Sequence, residues 1–173
     1  MKRWMKVACA LVLLAGFAQG EMIFKGTREL GMSGFLDLDT VEDATIRLDV
    51  TFGQFVMDYL QIGTRAGLSI SDPQRQFRGD LFTEYNIELN AAVLPYVALS
   101  IGILAADVEY EEIEGNDVAF STGGELGLKG FLTEEVALFG GVEYLWASTK
   151  VFLASDKVEN TDLRLKLGLR FYF

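Results

Sequence analysis

The 173-residue sequence has no histidine, one cysteine (Cys9) and two prolines. Without an imidazole, His-based acid–base catalysis and His metal ligation are excluded. A lone cysteine excludes an intrachain disulfide, and no zinc-type spacing, phosphate-binding loop or dinucleotide fingerprint is present. Positive charge is also scarce, with 15 basic residues against 25 acidic ones. That balance argues against nucleic acid and against electrostatic attachment to anionic headgroups. Nor is there an apolar run of the roughly 20 residues that a membrane-spanning helix needs. Ala91 to Ala106 comes nearest, but Pro95 would break a helix there. Its Val97, Leu99, Ile101 and Ile103 alternate with Ala98, Ser100, Gly102 and Leu104, as in a strand.

What is present begins with an export signal. Lys2, Arg3 and Lys6 precede the apolar stretch Val7 to Phe17, and Ala18-Gln19-Gly20 offers small residues to a signal peptidase. Cleavage is expected before Glu21, with recognition centred on Ala18 and Gly20. The run is too short for an anchoring helix, and Cys9 lies inside it, which does not suit a lipoprotein. The expected domains are a secretory signal peptide at 1–20 and one domain at 21–173. The second would carry a formal charge of −13 and no thiol.

The clearest structural signal is the last one. Leucine or phenylalanine occupies every odd position from 163 to 173, with Arg, Lys, Gly or Tyr at the even ones. Period-two alternation makes a strand with one apolar and one polar face. Upstream, Gly53 to Gly63 and Gly130 to Gly140 share one outline of strand, tight turn and returning strand, and Asn90 to Ser100 is a looser copy. Longer polar stretches at Ser71 to Asp80, Tyr110 to Asp117 and Ser148 to Asn160 lie between them, with a shorter one at Asp39 to Asp43. The reading is eight strands, near 27–38, 44–55, 59–70, 80–92, 96–108, 118–131, 135–147 and 161–173.

Two faces follow. One bears Leu30, Met32, Leu48, Val50, Phe52, Ile62, Leu68, Leu99, Leu126, Val142, Leu163, Leu165, Leu167 and Leu169, free of charge. The other is crowded with glycine, serine and alanine. A soluble lipocalin-like barrel would turn the apolar face inward. A water-facing surface rich in glycine would be poor strand material, however, whereas small residues suit the cramped interior of a narrow barrel. Tyr144 and Trp146 near one rim, with Phe171 and Phe173 near the other, fit interfacial girdles. The expected fold is therefore all-β: an eight-stranded antiparallel up-and-down transmembrane β-barrel.

The strand phases place Glu29, Asp37, Asp49, Glu84, Glu88, Glu125 and Glu143 inside, with Arg47, Arg65, Lys129, Arg164, Lys166 and Arg170. A structural ion-pair plug is the favoured reading of this set, and a charged conduction path is the alternative. Glu84 and Glu88 share a strand face, but nothing else marks them as a catalytic pair. Glu111, Glu112, Glu114 and Asp117 form an acidic stretch whose oxygens are a weak candidate for a divalent cation. No cofactor is expected.

The signal region, the alternating aromatic-terminated tail and the start Thr27-Arg28-Glu29-Leu30-Gly31-Met32-Ser33-Gly34 together resemble the small OmpA/OmpX-like outer-membrane barrels. The resemblance implies an integral protein of the outer membrane, exported by the secretion translocon. It also implies that Leu165, Leu167, Leu169, Phe171 and Phe173 form the signal read by the barrel-assembly machinery. The expected surroundings are the lipid bilayer and lipopolysaccharide. The expected function is a non-enzymatic barrel contributing to envelope structure. A narrow pore for ions or small solutes, and a surface-binding barrel acting through its outer loops, are the alternatives.

Overall fold

The computed structural model describes residues 23–37, 45–71, 74–89, 93–110, 113–154 and 157–173. Every regular element among them is a strand. They are β1 (Arg28–Asp37), β2 (Thr45–Met57), β3 (Leu60–Ser71), β4 (Gln74–Asn86), β5 (Val93–Tyr110), β6 (Ile113–Phe131) and β7 (Val136–Ala147). A short hairpin follows, β8 (Phe152–Ala154) and β9 (Lys157–Glu159), and then β10 (Thr161–Tyr172). The order β1-β10-β7-β6-β5-β4-β3-β2 closes on itself as an eight-stranded barrel, each strand antiparallel to its neighbours. Closure gives every barrel strand a partner on both sides, as a sheet in hydrocarbon requires. Seven of the eight pairings join barrel strands consecutive along the chain. The eighth, β1 with β10, is the closing seam, and its register runs only from Glu29↔Tyr172 to Gly34↔Leu167.

Apolar side chains cover the outside, as the alternation requires. Leu81, Leu99, Leu126, Leu163, Leu165 and Leu167 are each at least 60% exposed, an arrangement stable only in an apolar solvent. Among the described side chains of the barrel strands, charge faces outward only at Arg28 and Arg75, near opposite ends of the cylinder.

Inside, small residues make room for large ones. A Cβ on Gly127 would meet the Tyr96 ring, one on Gly31 would meet Arg170 and Thr51, and one on Gly168 would meet the Phe139 ring. The β2–β3 turn is two residues, with Tyr59 at φ 63°, a left-handed conformation that a non-glycine residue adopts at some cost. In the β6–β7 turn the Thr133 hydroxyl accepts hydrogen bonds from the amides of Glu135 (3.3 Å) and Val136 (3.1 Å).

Three details depart from the sequence reading. β4 starts at Gln74 and ends at Asn86 rather than covering 80–92. The polar stretch before residue 80 is strand because Gln76, Arg78 and Asp80 point inward while Phe77 and Leu81 point out. Likewise β5 and β6 pair up to Tyr110↔Ile113, so the acidic stretch is largely a hairpin arm and not a loop. β7 pairs with β6 only from Ser121 downward, leaving the arm to overhang that neighbour. Finally, the Ser148 to Asn160 stretch contains the β8–β9 hairpin.

Candidate functional site: the lumen charge network

The interior is built in tiers. Nearest the end that carries Phe173, buried Ile23, Phe55, Phe131, Ala137 and Tyr172 pack together. Above them Lys129, fully buried, donates to Glu29 (2.9 Å) and to Glu84. Arg170 donates to the same Glu29 and to the Thr51 hydroxyl (3.1 Å), and its guanidinium lies 3.7 Å from Glu84. Gln61 donates to Glu29 (3.1 Å) and Asn86 to Glu84 (3.2 Å). Two bases thus face two carboxylates, and the Gln61 and Asn86 amides each add a bond to an oxygen that a base already holds, support of the kind buried ions require.

Aromatic side chains separate this tier from the next. Tyr96 and Phe139 meet edge to face at 6.5 Å, with the Arg170 guanidinium 4.2 Å from the Phe139 ring centre and the Lys129 ammonium 5.2 Å from that of Tyr96. The Tyr96 hydroxyl donates upward to Glu125 at 2.7 Å. Glu125 and Glu143 are direct partners on β6 and β7, a like-charge pairing that alone would destabilise the sheet. Arg65, reaching across from β3, donates to both of them, the Glu125 contact being 3.0 Å. Lys166 adds a bond to Glu125 (2.9 Å) and lies 3.8 Å from Asp49. Arg78 joins Glu143 (3.0 Å), Asp80 and the Ser100 hydroxyl (3.0 Å).

A third tier approaches the opposite rim. Arg164 donates to Asp162 (2.6 Å) and Gln76 (3.2 Å), and Arg47 lies 3.5 Å from Asp162. Above it Leu104, Leu145, Val151 and Phe152 form a second apolar cluster, held in place as Gln76 donates to the Val151 carbonyl at 2.9 Å. Between the upper tiers is a cavity of about 20 Å³ lined by Arg47, Asp49, Arg78 and Arg164 among others, room for about one water.

Eleven of the thirteen residues assigned to the lumen by strand phase are in this network. Glu88 is not: it is exposed, beyond the end of β4, because that strand stops at Asn86. The Asp37 side chain lies outside the described residues. Three members escaped the sequence reading, namely Arg78, Asp80 and Asp162. The first two fall in the segment assigned to a loop, although their even-number phase with Glu84 was a usable signal. With them the described network holds seven bases (Arg47, Arg65, Arg78, Lys129, Arg164, Lys166, Arg170) and seven acids (Glu29, Asp49, Asp80, Glu84, Glu125, Glu143, Asp162).

Of the acidic cation candidates, Glu111 and Glu112 lie outside the described residues, as do the side chains of Glu114 and Asp117. Among the described residues no cluster of carboxylates is arranged to hold a metal ion. Ala18 and Gly20 also lie outside the described residues. In the tail, Leu165, Leu167 and Leu169 face outward on β10, Phe171 is half-buried and Phe173 is exposed.

The sequence matches the family described as outer membrane protein beta-barrel domain over residues 14–171. The chain belongs to that family. Its fold is shared with the N-terminal β-barrel domain of Pseudomonas aeruginosa OprF at 15% identity, covering 86% of this chain and 98% of that one, with a TM-score of 0.66. P. aeruginosa OprH in DHPC micelles is similar at 15% identity, with coverages of 86% and 99% and a TM-score of 0.61. Neisserial surface protein A is similar at 14% identity, with coverages of 85% and 94% and a TM-score of 0.57. No curated protein matches the chain by sequence. This outer-membrane barrel is thus defined by family and fold.

Proposed function

We propose that this outer-membrane barrel is a non-enzymatic structural protein of the envelope with a sealed lumen. The observation that carries the reading is the charge-balanced network itself. Seven bases and seven acids from seven of the eight barrel strands span the interior, with an apolar cluster beyond it at each end. An ion entering would have to separate oppositely charged pairs that are buried in a low-dielectric interior. Eight strands leave an interior just wide enough for side chains to fill, which agrees with a plug. The test is single-channel recording on protein inserted in a planar bilayer. A quiet baseline from demonstrably inserted barrels is the expected result, and reproducible discrete steps would move the function to a narrow pore.

Biogenesis belongs to the same proposal. The secretion translocon would export the chain through residues 1–20, and the barrel-assembly machinery would read Leu165, Leu167, Leu169, Phe171 and Phe173. Deleting Phe173 should lower the membrane-inserted fraction without changing export, measured by fractionation and protease protection. Lipopolysaccharide and phospholipid are the partners of the outward belt. No role for nucleic acid or a cofactor enters.

A further inference from the structure

A concavity of about 640 Å³ opens on the outer surface across β2 to β5, within the size range of about 300–1,000 Å³ typical of small-molecule sites. This stretch of the belt presents Thr64 and Thr83, with Phe52, Ile62, Leu81 and Leu99 standing around them. The Thr83 hydroxyl donates to the Gln61 carbonyl at 3.2 Å, so its polar atom is already engaged by the barrel wall. The pocket is therefore apolar along its length and continuous with the lipid-facing belt.

One end is different. Gln54 lines the pocket toward the β2–β3 turn, and its direct partner on β1 is Arg28. Directly opposed strand residues have Cβ atoms about 4.5–5.5 Å apart, close enough for one small anion to touch both. Arg28 is the cation of the barrel strands that faces outward at this rim, close to exposed Lys25 in the preceding turn, and it makes no ion pair among the described residues. The rim holds the tight turns and the seam strand ends, which in barrels of this class face the periplasm.

We propose that this groove seats one glycerophospholipid of the periplasmic leaflet, its phosphate on Arg28 and Gln54 and an acyl chain along Thr64 and Thr83. A guanidinium held at the membrane interface is suited to phosphate, and the trough above it is the right chemistry for a tail. A second copy of the chain would find no free hydrogen-bonding group along the trough beyond Thr64 and would leave Arg28 without a phosphate.

The test uses protein purified from membranes and reconstituted in phosphatidylcholine nanodiscs that contain a minor fraction of phosphatidylglycerol with a diazirine in its acyl chain. After photolysis, peptide mass spectrometry compares label on residues 62–64, 81–83 and 99–101 with label on Leu163, Leu165 and Leu167. The seat predicts strong enrichment in the groove. Arg28→Gln should lower that enrichment about tenfold, the loss of one charge-assisted hydrogen bond, and Thr64→Trp should abolish it. Uniform labelling around the barrel, enrichment indifferent to Arg28→Gln, or protein–protein cross-links through the groove would each overturn the assignment. Should Thr64→Trp fail to fold, the unmodified barrel and Arg28→Gln, which lies outside the lumen network, still decide the question.

Discussion

Lys129 shows what a single buried charge does in this interior. Among the described residues it is the one base hydrogen-bonded to both Glu29 and Glu84, with Arg170 alone to share them. Lys129→Met would remove one positive charge and strand a carboxylate in a dry site, which typically costs about 3–5 kcal/mol. The expected outcome is a lowered urea midpoint in lipid vesicles. Arg65→Ala should fall in the same range, because it leaves the opposed Glu125–Glu143 pair to Lys166 and Arg78. Glu88→Ala should leave the midpoint where it was, since its carboxylate is exposed. A double substitution of Lys129 and Glu84 by methionine should cost less than the sum of the two singles, the signature of a coupled pair. Neither single effect should respond much to salt, because buried pairs are poorly screened.

The strands were legible where one face is greasy and obscure where it is not. β10 can be read directly from Leu163 to Phe173 because Arg164, Lys166 and Arg170 mark its inward face while its outward residues are all apolar. β4 was harder: Gln74, Gln76, Arg78 and Asp80 look like a polar loop until Phe77 and Leu81 are recognised as the outward phase. A lumen lined with ions removes the usual contrast between a half-buried strand and a solvated turn. The β8–β9 hairpin had only Val151-Phe152-Leu153 as its sign, an apolar island in a polar stretch. Val151 and Phe152 are buried, and Phe152 lies 5.5 Å from the Arg164 guanidinium. Phe152→Ala should cost about 3–5 kcal/mol if the site cannot collapse around the gap. The measured quantity is again the urea midpoint, and the same variant should raise proteolysis within residues 148–160 if the cluster holds that segment down. The partners of Arg65 were beyond any reading of the sequence, because its bonds cross the barrel to strands 60 and 78 residues away.

The whole molecule is a meander in which spatial neighbours are chain neighbours, except at the seam. Its interior charge cancels among the described residues, so the chain's acidic excess must be carried outside the network. Gly34↔Leu167 is the last rung of the seam, whereas β5 and β6 stay paired from Val93↔Gly130 to Tyr110↔Ile113. That inequality has a mechanical meaning. A barrel pulled by its C-terminus would not tear at random but would peel, with β10 leaving first against its short contact with β1 and its longer one with β7. Arg164, Lys166 and Arg170 would leave with it, and the carboxylates of β1, β4, β6 and β7 would lose partners in one stroke. The first rupture in a force-extension trace should therefore be the largest, with hairpin-sized steps following in reverse chain order.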